Sequence, residues 1–573
     1  MKEKSEKQSK IKYYKERFLF HYRRNKRFRI LSVVTGLILS VLFVLLLSFM
    51  IVRIGNAGKV SAAISKEPDS LDPTFCADAE TETVLVNCFE GLMKIDEDGK
   101  PVKAAASDYT VSADGLVYTF TISSESKWSD GNPVKASDFV YAWRRTANPY
   151  NSSAYADYFS NIVGYDKILD DFDKEQQNLV DEEGNYIKAQ MSDLWVKAAD
   201  GNTLVVKLKE KDPSFLYKCA SAAFFPLYEE MVKPFSRIWS TDKDRFFSNG
   251  AFTLSSWMDG SYLELKPNPH YRDAENVELN HIKFFFIEDG DEAKKMFDKS
   301  TILFSSVLPE KNLKKVTTQK DFVSYESPGT YFLYFNLNQK PFDDIRVRRA
   351  LTLAIDREKL IGETASVRGT AASTLISNGF NDFRQAGESL FDATDADDNI
   401  AKAKALLKEA GYENGKGFPS FEYLFNDNTY SRETAEILQK MWKENLGIDC
   451  RLKSVSWQKL DDMRKDGEFA VAKGGAIAPY NDVTLMLEGF TSKNNFCSWN
   501  NKEYDSLFSQ MINGQGDNKN NLAHKAEKIL LNDWVICPLY YYTEGYFASD
   551  RIENYYVTSS GIAYFVNADV GVF

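Results

Sequence analysis

The sequence predicts an α/β protein of several domains, and three observations carry that prediction. At 573 residues the chain exceeds what one hydrophobic core organises, and ordinary domain sizes divide it into roughly two to four domains. Hydrophobic residues make up 43% and aromatic residues 14%, the composition of an aromatic-rich globular chain and not of a disordered one. The third observation is a change of period inside Thr330–Asp356. There Tyr331, Leu333, Phe335 and Leu337 alternate with Phe332, Tyr334, Asn336 and Asn338, as in a strand. After Pro341, Asp343 and Asp344 stand where they cap a helix whose core side carries Val347, Leu351, Ala354 and Ile355. The strand's second face runs from aromatic to amide and is a candidate ligand floor. A packed core strand and helix is the plainer reading of the same pattern.

Charge is divided unevenly. Residues 1–29 hold twelve Lys/Arg against three Glu, and Arg53 adds one more positive charge; removing that +10 from the net −11 leaves the remainder at −21. An acidic body lacks the basic footprint that nucleic acid requires. The four His, at 21, 270, 281 and 524, lack metal-site spacing. There is no G-x-S-x-G, no H-E-x-x-H and no local Cys/His signature. Metal- or His-dependent catalysis is therefore not expected, and neither a cofactor nor an enzyme is indicated.

Ile30 to Val52 is an uncharged, mostly apolar run of 23 residues, about 34 Å as a helix and long enough to cross a bilayer. The basic block ahead of it belongs on the cytoplasmic side, which puts everything after Arg53 outside. A cleaved signal peptide is the alternative. Its apolar region is usually about 7 to 15 residues and ends in a small-residue cleavage site, for which Val60 to Ala63 is the one tempting stretch. No Cys follows the run closely, so lipid attachment is not supported. The six Cys, at 76, 88, 219, 450, 497 and 537, would face an oxidising space in this orientation. Bridges are permitted by the even count, while Cys450 and Cys537 sit in apolar strand-like segments that suit buried thiols.

Along the body, AAISKEPDSLDP reads as a strand broken at Pro68 and Pro73, and Thr81 to Met93 as a helix with Val84, Leu85, Cys88, Phe89 and Leu92 on one side. Asp108 to Ile122 alternates like a hairpin around Ala113, Asp114 and Gly115. Ser137 stands where it caps a helix burying Phe139, Val140 and Trp143. Residues 170–192 are acidic and polar and read as a solvated loop.

The segments S-L-D-P, F-E-G-L and K-W-S-D-G-x-P-V-x-A-x-D-F-V-Y-A-W, in this order, resemble the extracytoplasmic solute-binding proteins of the dipeptide, oligopeptide and nickel class that serve ABC importers (family 5). The resemblance continues through Asp193 to Leu208, Asn249 to Trp257, Lys266 to Tyr271, the 330–356 stretch, Asn399 to Tyr412, Trp442 to Leu452, Ser456–Trp457 and Pro538 to Tyr542. It covers about residues 60–573 and is nearest the oligopeptide-binding subgroup. It implies a periplasmic-binding-protein type II-like two-lobe fold with an extra domain on the first lobe. Its implied boundaries are 60–93, 226–327 and 543–573 for the first lobe, 94–225 for the extra domain and 328–542 for the second lobe. A basic tail (1–29), a membrane anchor (30–52) and a linker (53–59) precede them.

Carried over by similarity, the ligand contacts are Tyr331, Phe332 and Tyr334 as floor, Trp457 as an aromatic wall and Asn249 from the first lobe, with Tyr155 and Tyr158 from the extra domain. The stretch Lys473 to Asn481, KGGAIAPYN, adds Lys473, Gly474, Gly475 and Tyr480. Relatives commonly carry an Arg near its start and an Asp just before the Tyr, which pairs with a peptide's α-ammonium. Here Lys473 and Pro479 occupy those places, and proline supplies no charge. Asp482, Glu80 or Glu82 are the carboxylates placed to substitute, while Gly474 and Gly475 let a ligand approach the backbone. The resemblance implies a membrane-anchored receptor that delivers oligopeptides or similar solutes to an ABC permease. The replaced anchor equally motivates a sensory or scaffold protein with a non-peptide ligand.

Overall fold

The structure is a computed structural model. It describes residues 58–571 apart from 77, 236–237, 310–317, 365–368, 381–382, 384–388 and 514–516, together with 13–20, 22, 30, 34, 35 and 40. The expected membrane segment 30–52 lies almost wholly outside the described residues. Among those described, no helix is long and apolar enough to cross a membrane. Residues 60–569 form one compact unit, to which the following refers.

Two long strands, Phe322–Phe335 and Ile536–Ala548, run antiparallel and centre a mixed sheet of twelve strands among the described residues. On one side of the pair lie Val471–Lys473, Phe421–Asn426 and Cys450–Val455, in that order. On the other lie Phe304–Ser305, Lys59–Ile64, His281–Phe286, Tyr262–Pro267 and Phe252–Met258. Gly369–Ala371 and Ala476–Ile477 add to the long strands off this path. The ladder between the long strands breaks register between Glu326 and Thr330, where Pro328 has no N–H to offer.

Alternation along Phe322–Phe335 sends its side chains into two separate cores. Tyr331, Leu333 and Phe335 join Val347, Leu351, Leu438 and Trp442. Phe332 and Tyr334 join Leu460, Leu487, Phe490 and Leu530. Both faces of its Tyr331–Phe335 end are covered by helices, so that end is hydrophobic on both sides, while Val323 and Ser324 nearer its start are exposed. The helix Ile345–Leu353 follows as the sequence leads one to expect, with the Asp344 carboxylate capping the Arg346 amide and Val347, Leu351 and Ala354 fully buried. Arg348 lies buried on this helix, and its guanidinium donates to the carbonyls of Trp534, Phe342 and Asp533, tying the helix to the start of the second long strand.

A four-stranded antiparallel sheet, in the order Ala106–Val111, Val117–Ile122, Thr203–Lys207 and Val196–Ala198, forms a separate layer. The first two strands are the expected hairpin. Helix Ala136–Thr146 buries Phe139 and Trp143. Its start lies earlier than Ser137, with Lys135 as N-cap and the Asp138 carboxylate accepting from the Lys135 amide at 2.9 Å. Helix Ala79–Cys88 ends short of the expected Met93, because Phe89 turns extended. Residues 170–176 are not loop but the end of helix Tyr165–Gln176, held by Lys167–Asp171 and Lys174–Asp170 pairs at helical spacing. All six cysteines are buried and free, and burial pushes the Cys450 thiol up to about 12.

Glu527, in helix Asp517–Asn532, is buried and accepts the Leu375 and Ile376 amides at 2.9 and 2.7 Å. Burial raises its carboxyl from about 4.5 to about 7 despite those bonds. The folded state then holds this proton more tightly than the unfolded chain does. The stability it contributes is complete below about pH 4.5 and is lost as pH rises through about 7. Glu527→Gln keeps an oxygen for the two amides, so urea unfolding between pH 4.5 and 7 should fall less steeply than in the parent, by up to about 1.4 kcal/mol per pH unit. An unchanged slope would remove Glu527 as the source. A second expectation concerns the thiols. Native protein should leave a thiol reagent essentially unconsumed, and urea without reductant should release six reactive thiols per chain; fewer than six would reveal a bridge.

Candidate functional site

The three floor candidates do not share a surface. Tyr331 is fully buried, stacked on Tyr540 at 4.9 Å with its hydroxyl 3.1 Å from that of Tyr423. Phe332 and Tyr334 point to the opposite side of the sheet, where both pack on Phe490. A period of two separates residue 331 from 332 and 334, and each of the three is also core.

On the Tyr331 side, Lys473 ends the strand Val471–Lys473 with its side chain buried. Its ammonium donates to Asn426 Oδ1 at 2.6 Å, Tyr430 Oη at 3.0 Å and Ser431 Oγ at 3.1 Å, and no carboxylate among the described residues pairs with it. Burial lowers its pKa, with Tyr430 opposing the shift. Trp457, by contrast, is 55% exposed. It opens helix Trp457–Lys465, and its ring lies within 5.6 Å of both Lys473 Nζ and Arg464 Cζ.

The glycines and Asn249 are consumed by the protein's own packing. A Cβ on Gly474 would lie 2.4 Å from the Phe332 ring, and Gly475 has φ +120° with Tyr542 Oη and Thr330 O about 3 Å from where a Cβ would sit. Asn249 is buried. Its amide accepts from the Glu90 N–H at 3.1 Å and donates to the Glu90 carbonyl at 2.9 Å.

Other candidates converge on a cavity of about 220 Å³. Tyr155 and Tyr158 come from the layer of the four-stranded sheet, Glu82 from helix Ala79–Cys88, and Pro479 and Tyr480 from the segment after Gly475. Tyr155 and Tyr158 pack at 5.1 Å. Tyr480 stacks on Tyr217 at 5.7 Å, and Tyr564 closes another side. Sequence reasoning missed Tyr217 and Tyr564, which lie far apart in the chain and carry no local signal.

The structure separates the three candidate carboxylates. Asp482 is fully buried and spent: it accepts from Lys519 Nζ at 2.7 Å, Ser214 Oγ at 2.6 Å, and the Thr484 amide and hydroxyl at 2.9 and 2.7 Å. Burial alone would raise its carboxyl, but these partners hold it below the usual range. Glu80 is tied to Ser65, whose amide and hydroxyl it accepts, and to Ser306 Oγ at 3.1 Å. Glu82 alone of the three opens onto the cavity. It accepts the Ala222 amide at 2.9 Å, and burial raises its carboxyl above the ordinary range, with Asp78 adding to the effect.

Known proteins share this architecture. Residues 100–497 match the family described as bacterial extracellular solute-binding proteins, family 5 Middle. The chain is 29% identical to the oligopeptide-binding protein OppA of Bacillus subtilis over 88% of its own length and 91% of that relative's. It is 30% identical to the dipeptide-binding protein DppE of the same organism, over 85% and 87%. The solved structure of MppA, a periplasmic murein tripeptide binding protein in an unliganded open form, superposes with a TM-score of 0.78 at 28% identity, covering 90% of this chain and 97% of that one. With a match spanning most of its length and a fold shared nearly end to end, the chain belongs to the family 5 bacterial extracellular solute-binding proteins.

Proposed function

We propose that this protein is a membrane-anchored receptor that captures an oligopeptide-like solute outside the cell and delivers it to an ABC permease. The observation that carries the reading is the cavity itself. It draws its walls from Asp78, Ala79 and Glu82 on helix Ala79–Cys88 and its cap, and from stretches far apart in the chain around residues 97, 157, 219, 480 and 560, and five tyrosines are among them. Aromatic walls with few charges hold extended ligands of varied sequence, while main-chain bonds give the affinity. Relatives named for oligopeptides, dipeptides and a murein tripeptide support the ligand class.

In this reading the lobes are 60–93 with 226–327 and 543–573, and 328–542, and the extra domain is 94–225. The long strands Phe322–Phe335 and Ile536–Ala548 then pass between the lobes, and ligand favours whichever arrangement it binds better. The uncharged run 30–52 serves as the anchor behind a basic cytoplasmic tail. Pro479 in the cavity wall favours one second reading, a sensory protein with a non-peptide ligand that engages no transporter.

Two measurements bear on these readings. Thermal unfolding of the full chain in detergent micelles should shift upward with a mixture of tri- to pentapeptides, by about 2.7 kcal/mol of apparent stability at a hundredfold excess over Kd. A flat response to peptides beside a clear response to another solute removes the peptide class. Affinity purification from host membranes should recover permease subunits, and their consistent absence favours the sensory reading.

A further inference from the structure

Resting on the receptor reading above, we infer that Glu82 is the counter-ion for a protonated amine of the bound solute, held on the helix Ala79–Cys88 side of the cavity and not at the segment that carries Pro479.

The charges around the cavity point to a missing cation. Two carboxylates line it, Asp78 and Glu82, and no Lys, Arg or His is among its lining residues. Asp78 is already occupied. Its Oδ1 accepts the Thr81 amide at 2.8 Å, capping the helix, and its Oδ2 takes both the Thr81 hydroxyl at 3.0 Å and the Lys66 ammonium at 3.2 Å. Among the described residues Glu82 has the Ala222 amide, a neutral donor, and no ion pair. The tyrosines that line the cavity with it, Tyr155, Tyr158 and Tyr564 among them, are neutral. A carboxylate so placed is costly to keep ionised without a partner. It becomes favourable once an ammonium enters, since a charge-assisted bond is strong in a partly enclosed site and tyrosine faces attract cations. The alternatives are structurally closed, because Asp482 carries Lys519 and Glu80 is bonded to two serines.

The test uses the full chain in detergent micelles, its Glu82→Gln variant, and three probes: mixed tri- to pentapeptides with free amino ends, the same mixture N-acetylated, and spermidine. Gln preserves the acceptor for Ala222, so the unliganded variant should melt at or above the parent's temperature. Parent protein should bind the free-amine peptides about 10- to 100-fold more tightly than the acetylated ones, and Glu82→Gln should erase that difference. Equal binding of both mixtures by the parent overturns the inference and leaves the peptide receptor intact. A variant that melts well below the parent overturns it too, by making Glu82 a structural residue. If neither peptide mixture binds but spermidine does, with loss in Glu82→Gln, the peptide reading fails and the amine site stands. If no amine binds the parent, the inference is wrong.

Discussion

The antiparallel pair Phe322–Phe335 and Ile536–Ala548 is the constraint on which the rest of the structure depends. In the strand order of the large sheet, the strands on either side reach each other through this pair. It therefore has to be a core strand pair twice over, once for each set of helices, which is why its inner residues are so rich in aromatics. Tyr331, Tyr540 and Tyr423 fill one side while Phe332, Tyr334 and Phe490 fill the other. Residues that look like a ligand platform in one dimension are the filling of two cores in three.

Buried charge follows a similar logic of internal settlement. Arg348 is neutralised by carbonyl dipoles, Asp482 by Lys519, and Glu90 by Arg272 at 2.8 Å with Tyr271 beside it. Each of these ties distant stretches of chain, and each is removed from the pool of groups that a ligand can use. Like Arg348, three further groups bond only to neutral partners among the described residues: Lys473 to three side-chain oxygens, Glu82 to one backbone amide and Glu527 to two.

What the sequence revealed depended on distance along the chain. The strand and helix at 330–356 were legible because a two-residue period, a proline and a capping aspartate are all local signals. The hairpin before Ile122 and the burial of Trp143 were legible for the same reason. The family was legible because many short segments recur in one order. The fate of Asp482 was not, since its partner Ser214 lies 268 residues away. Nor was the burial of Arg348, set by carbonyls at 533 and 534. The cavity brings Tyr155, Tyr480 and Glu82 together, and it adds Tyr217 and Tyr564 from places where nothing local marks them.

The free, buried cysteines have a consequence in time. A chain that reaches its native state with every thiol unpaired has no oxidation or reshuffling step to wait for, and such steps take seconds to hours where they occur. The chain then folds at its own pace, in aerobic and anaerobic surroundings alike.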